Sequence, residues 1–324
     1  MNYLYTLSRS TILVGGLTIV LAIIWWIIPT ESQPLKISIL GEFEIINLPP
    51  FAMNILQFIS IASIMAFAQS FISSRHIKLI TYLHFFIIAL IAVCWAETQT
   101  NANQIIASML FIKAFWNILE IDFMEDNAED IFSSILLASI ATILDPNFVL
   151  LIPICVITAI KMDGIKARSI ISMTFTLAVS ASTIFGVAFL LNSLDIATTY
   201  YSKIFTYGLQ YYNLDTISRN LPMAIVFIFG VATAIKIFSK RNDFSQKEKS
   251  AMVSMIFTQV CISLFMGVFR LEGSGFALIA TLISAIFITI GVLDSKSKAN
   301  HIIFTTFLLL MIISASLPSI LKVI

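Results

Sequence analysis

The chain has 324 residues, of which 59% are hydrophobic and 11% charged, with a mean hydropathy of +0.97 and a formal net charge of +1. Soluble domains carry about 25% charged residues, so a chain this apolar lacks the polar surface to face water and takes the bilayer as its solvent. The near-zero net charge argues against nucleic acid as a partner. Three cysteines and three histidines without ligand spacing argue against a disulfide framework or a metal site, and no cofactor motif is present.

Apolar runs near 12–29, 51–72, 78–95, 105–120, 131–144, 148–161, 169–192, 221–238, 251–269, 275–293 and 302–320 predict an all-α fold. It is a polytopic transmembrane bundle of about eleven spans, forming one integral membrane domain over 1–324. Most runs approach the roughly 18–20 residues that cross about 30 Å of hydrocarbon. The first run ends in Trp25-Trp26 and has no small-residue cleavage site before Pro29, so it reads as a retained signal anchor.

The loop after this first span carries Glu31, Glu42 and Glu44. Glu42 and Glu44, with Asp145 further on, are the acids offered as catalytic candidates. Asn54 and Gln57 share a face of the second span, where amides make interhelical hydrogen bonds. His84 in the third span and Lys113 in the fourth fall at similar depth when the two spans are neighbours. Asn117 and Glu120 follow Lys113 at helical spacing on the same face. A charge within a span needs a partner, so Lys113 either pairs with Glu120 or backbone carbonyls, or lines a proton or anion path with His84.

Residues 120–130 hold six acids and no base. Asn127, Glu129 and Asp130 suit a helix N-terminus, and a solvated capping loop is the plain reading. A divalent-cation or basic-partner site is the sharper one, without EF-hand spacing to support it. The runs 131–144 and 148–161 are short, about 21 Å each by helical rise, and joined by Asp145-Pro146-Asn147. They either cross as a hairpin or form a re-entrant hairpin over 131–161 that holds Asp145 at membrane depth. We expect crossing.

Ser172, Thr176, Ser180 and Thr183 make a hydroxyl stripe of the kind that marks close helix packing. The 193–220 loop is rich in tyrosine, and Tyr201, Ile204, Phe205, Leu209 and Tyr212 can share one face of an outer interfacial helix over 198–213. An aromatic platform for a sugar or headgroup is the alternative. Gln259 is a candidate interhelical donor. Arg270 and Glu272, before Gly273-Ser274-Gly275, stand with Lys113, His84 and Glu120 as candidates for a ligand or ion pathway.

Thirteen of the nineteen Lys and Arg residues fall in alternate gaps. They are Arg9; Arg75 and Lys78; Lys161, Lys166 and Arg168; Lys236, Lys240, Arg241, Lys247 and Lys249; and Lys296 and Lys298. The positive-inside rule puts the N-terminus in the cytoplasm and the C-terminus outside. Trp25, Trp26 and Trp95 then fall at outer ends, where indoles favour the interface. A re-entrant hairpin would leave every one of these assignments unchanged.

Two segments carry a resemblance. One is Ile-Phe-Ser-Ser-Ile-Leu-Leu-Ala-Ser-Ile at 131–140, leading through a short break into another apolar run. The other is Arg270-Leu-Glu-Gly-Ser-Gly-Phe276 before a long apolar helix. In these the chain resembles a family of polytopic inner-membrane proteins of Bacteroidota, a domain of unknown function. The resemblance implies a multi-pass location in a bacterial inner membrane and carries over no activity and no functional residues. The architecture is also similar to GT-C membrane glycosyltransferases in its many spans and in acids of the first outer loop, here Glu42 and Glu44. No acidic pair stands next to the first span as that pattern requires.

Three functions follow as expectations. The first is a non-catalytic or accessory component of cell-envelope assembly, with membrane lipid and other envelope proteins as partners. The second is an enzyme or carrier acting on polyprenyl- or lipid-linked intermediates. The third is a secondary transporter, for which the internal repeat is missing.

Overall fold

The computed structural model describes residues 10–27, 35–37, 43–46, 49–74, 83–94, 102–123, 125–202, 214–239, 244–268, 274–293 and 298–321. The helices among them are α1 (Thr11–Ile27), α2 (Pro50–Ser74), α3 (Leu83–Cys94), α4 (Ala102–Glu120), α5 (Ala128–Leu144), α6 (Ile152–Asp163), α7 (Ala167–Leu190), α8 (Leu194–Ser202), α9 (Leu214–Ser239), α10 (Gln246–Val268), α11 (Ser274–Leu293) and α12 (Lys298–Leu321). A 3-10 turn, Pro146–Leu151, joins α5 to α6. Between α1 and α2 lie β1 (Leu35–Ile37) and β2 (Phe43–Ile46), a short antiparallel pair with Lys36 opposite Glu44. The acid-bearing first loop thus contains a small hairpin that hydropathy did not forecast.

Among the described residues, seven stretches are long and apolar enough to cross a membrane: 51–72, 102–120, 146–163, 167–190, 221–239, 246–266 and 275–292. Ile12–Ile27, Leu83–Cys94 and Ile302–Ser314 are shorter apolar helices. In hydrocarbon each backbone N–H and C=O must be satisfied within the protein, and helices do this along their own length. The chain is a multi-span helical membrane protein.

Helix α11 is the centre of the bundle. It is buried along all of Gly275–Val292, with α9, α4, α3 and α10 packed around it. Small residues set the approach of α9. A Cβ on Gly230 would sit 2.4 Å from the Ser284 Cβ, and one on Gly291 would sit 3.1 Å from Thr233. Lipid gives little hydrophobic drive between helices, so such close backbone contact supplies the van der Waals attraction that holds them. Gln259 of α10 donates to Ser284 Oγ at 2.7 Å, the interhelical bond expected of it. By contrast α1 and α7 turn large side chains outward, among them Ile12, Ile19, Ile171, Phe175 and Leu190. Such faces suit lipid.

The short hairpin runs the full length of α4. Asn103, in the first turn of α4, donates from Nδ2 to Leu144 O at 3.2 Å. Phe148 is fully buried against Phe111 and Phe276, with ring centroids 6.0 and 5.5 Å away. A Cβ on Gly275 would lie 2.8 Å from the Phe148 ring, and Ser108 Oγ donates to Gly275 O at 3.0 Å. The Asp145 turn is therefore level with the first turns of α4 and α11. The run 148–161, expected as one helix, opens as the 3-10 turn. Pro153, in the first turn of α6, has no N–H to bond backward, so the α-helical ladder starts only there.

The stripe on α7 faces α5 over part of its length. Ser172 Oγ donates to Ala128 O at 2.7 Å, and Thr176 and Ser180 are buried, but Thr183 is exposed. Helix α7 ends with Asn192 at φ +52° and the Ser193 N–H on Ala188 O at 2.8 Å, a left-handed cap that turns the chain into α8. Helix α8 begins before the expected interfacial helix. It buries Ala197 and Tyr200 against Ala188 and Ile143, and residues 203–213 lie outside the described residues.

The close α9–α11 crossing is testable by substitution. Gly230→Leu is expected to lower stability in detergent by about 2 kcal/mol, because the new side chain must displace Ser284. Gly186→Leu, on open space in α7, is expected to change it by less than about 0.5 kcal/mol. Thermal unfolding of the two variants measures the difference.

Candidate functional site

Most of the charged side chains among the described residues gather where α4 ends, α5 begins, α6 ends, α7 begins and α10 begins. Asp163 is the hub. It closes α6, and Gly164 follows as the cap residue, with φ +78° and its N–H on Ile160 O at 2.9 Å. Glycine is required there by the backbone. The left-handed backbone disfavours a Cβ, and a Cβ would lie 2.7 Å from the Phe123 ring.

This turn aims the buried Asp163 carboxylate at three donors. Asn127 Nδ2 donates to Oδ1 at 2.6 Å, Lys166 Nζ donates to the same oxygen at 2.8 Å, and Ser169 Oγ donates to Oδ2. The donors hold other groups in turn. Asn127 Nδ2 reaches Asp122 O at 2.6 Å and Glu125 O at 3.1 Å. Lys166 Nζ reaches Phe123 O and Glu125 O, each at 2.8 Å, and lies 5.3 Å from the Phe123 ring centre. The 120–127 loop is thus held to the 163–169 turn by one carboxylate and the groups around it.

Longer-range pairs extend the network. Arg168 pairs with Asp126, and Lys247 lies 3.8 Å from Asp122. Lys161 Nζ donates to Ser250 O at 3.1 Å, tying α6 to α10. Helix α10 opens on a capping box, with Ser245 N–H on Glu248 Oε2 at 2.6 Å and Glu248 N–H on Ser245 Oγ at 3.3 Å. Beside these residues lies a cleft of about 300 Å³, bounded by Lys161, the end of α9 and the start of α10.

The acidic loop opens α5 as expected, with Glu129 and Asp130 in its first turn, but without a side-chain cap bond. Asn127 holds the N-cap position of α5. The amide is drawn instead to the carbonyls and carboxylate just named, where it forms a charge-assisted bond. Among the described residues no group of three His, Cys, Asp or Glu could hold a metal ion.

The other candidates lie apart. Lys113 is half-buried, with its ammonium 5.6 Å from the centre of the Phe67 ring. Neither Glu120, which is exposed at the end of α4, nor His84 is bonded to it. His84 is fully buried in α3 beside Phe85, with both ring nitrogens lacking a hydrogen-bond partner among the described residues. Asp145 is buried at the opposite end of the bundle, its Oδ1 accepting from the Asn147 N–H at 3.0 Å. Burial pushes its carboxyl up to about 6 against the pull of that amide. Nearby, Tyr200 donates to Ile143 O at 3.4 Å, and Tyr201 meets Thr142 at 3.4 Å. Glu44 lies in β2, with its side chain outside the described structure; Glu42, Arg270 and Glu272 lie outside the described residues.

Sequence reasoning missed Asp163. Its signals were an Asp-Gly turn dipeptide and a lysine three residues on, both common. Both carboxylate oxygens are occupied by donors, so the group is placed to anchor loops rather than to move protons.

Fold and network together define a polytopic helical membrane protein whose loops are locked at one end by a buried carboxylate. Comparison with protein-family models, curated proteins and solved structures finds no match.

Loss of the hub should be costly. Asp163→Ala leaves the Asn127 amide and Lys166 ammonium without their shared acceptor and is expected to cost about 3 kcal/mol. Asp163→Asn, which keeps an acceptor oxygen, should lose less. Arg168→Gln breaks an exposed pair and should cost under about 1 kcal/mol. Unfolding in detergent gives the order; equal losses for Asp163→Ala and Arg168→Gln would contradict the hub.

Proposed function

We propose that this protein is a non-catalytic, accessory membrane subunit of bacterial cell-envelope assembly. We further propose that it crosses the inner membrane eleven times, with its N-terminus inside and its C-terminus outside. The crossings are α1 to α5, the 3-10 turn with α6, α7, and α9 to α12. The seven long apolar stretches and three shorter ones support ten of them. The eleventh, α5, is supported by the Asn103–Leu144 bond that sets the hairpin tip level with the start of α4. The gathering of Lys161, Lys166, Arg168 and Lys247 at one end supports the orientation, because cationic loops stay in the cytoplasm. The inner-membrane location rests on the resemblance to Bacteroidota inner-membrane proteins.

One observation carries the non-catalytic reading over the transporter: the centre of the bundle is filled. Helix α11 is buried over Gly275–Val292 by helices on every side. A transporter needs broken helices around a polar site at the midplane, and α11 is continuous there. A scaffold needs a rigid bundle and locked loops.

Three measurements in intact cells test the reading together. Reporter fusions are expected to place residue 324 outside and the 239–250 loop inside, and Asn147→Cys should be labelled from outside. Lys113→Ala and the double variant Glu42→Gln/Glu44→Gln should each leave function intact while partner proteins still copurify. Loss confined to the outer acids would favour the enzyme instead, and a cytoplasmic C-terminus would sink the topology.

A further inference from the structure

The cleft beside the charge network has two chemically distinct parts. Its floor is apolar, formed by Ile237, Met252 and Phe287. Its rim carries Lys161, Lys249 and Gln246. The bond from Lys161 to Ser250 O uses one of the three N–H groups of that ammonium and leaves two for a ligand. Gln246 and Lys249 stand in the first turn of α10, at the positive end of its helix dipole. Glu248, the acid of that turn, is engaged with the Ser245 N–H. Lys236 stands in the last turn of α9, at the same end. Phe238 and Val253 form an exposed apolar lip to the cleft.

We propose that this cleft binds an anionic phospholipid, with its phosphate at Lys161 and Lys249 and its first acyl methylenes on the apolar floor. The two parts select this ligand together. A soluble anion gains nothing from the floor, and a zwitterionic lipid brings no net charge to the lysines. Basic pockets between helix ends are the recurrent form of anionic-headgroup site. A volume of about 300 Å³ is at the lower bound for ligand pockets, enough for a glycerophosphate group and a few methylenes. The proposal stands on the cleft and is independent of topology and of the accessory role.

The full chain in a neutral detergent is the test material, with its melting temperature followed as lipid is titrated. Dioctanoylphosphatidylglycerol should raise the melting temperature saturably, while dioctanoylphosphatidylcholine and glycerol 3-phosphate should do so only at far higher concentration. Lys161→Gln/Lys249→Gln should weaken the phosphatidylglycerol effect by about thirtyfold, as two interfacial lysines imply. Val253→Trp, which fills the cleft and keeps both charges, should weaken it by a similar factor. If the lysine variant fails to fold, Val253→Trp decides alone. Equal response to phosphatidylcholine or to glycerol 3-phosphate overturns the proposal, as does wild-type affinity in either folded variant.

Discussion

Burial of α11 on all sides is the constraint from which the rest of the bundle follows. A helix at the centre of a membrane protein gains little from escaping lipid, since its neighbours are as apolar as the acyl chains. It is held by close contact, and close contact needs small residues at the crossings. Gly230 against Ser284 and Gly291 against Thr233 bring α9 within backbone reach of α11. Gln259 adds a hydrogen bond from α10. Phe148, seated on Gly275, brings in the turn between α5 and α6. Once α4, α9, α10 and that hairpin are fixed around α11, their ends fall together, and the loops joining them meet.

That meeting explains where the polar chemistry sits. A carboxylate removed from water needs full compensation, and Asp163 receives it from Asn127, Lys166 and Ser169. The same groups satisfy carbonyls of the 120–127 loop, so one buried charge orders two loops. The cleft opens where this locked region meets the ends of α9 and α10. Polar groups elsewhere are less well served. His84 and Gln57 are fully buried, and their side-chain nitrogens, with the Gln57 oxygen, meet no partner among the described residues. Each costs the bundle stability at its own position.

Hydropathy reached a good part of this fold because span length is a local property. Runs such as 169–192 and 275–293 need only enough apolar residues in a row, and α7 and α11 occupy nearly those ranges. The site was far less legible. Asn127 was read by a local capping rule, but its strongest partner lies 36 residues away, and the local rule lost to a charged acceptor. Asp163 was one acid among lysines, and nothing nearby marks it as buried. The level of the Asp145 turn depends on Asn103 and Gly275, which are distant in sequence. The pairing of Lys36 with Glu44 is likewise a cross-strand property that hydropathy does not carry.

The filled centre can be measured without altering the chain. A phospholipid bearing a photoactivated carbene precursor in its acyl chain, incorporated into nanodiscs with the protein, labels side chains that touch lipid. Peptide mass spectrometry should then find adducts on α1 and α7, at outward residues such as Ile19 and Phe175, and none between Gly275 and Val292. Adducts recurring along α11 with helical period would show that it faces lipid and would contradict the structure at its centre.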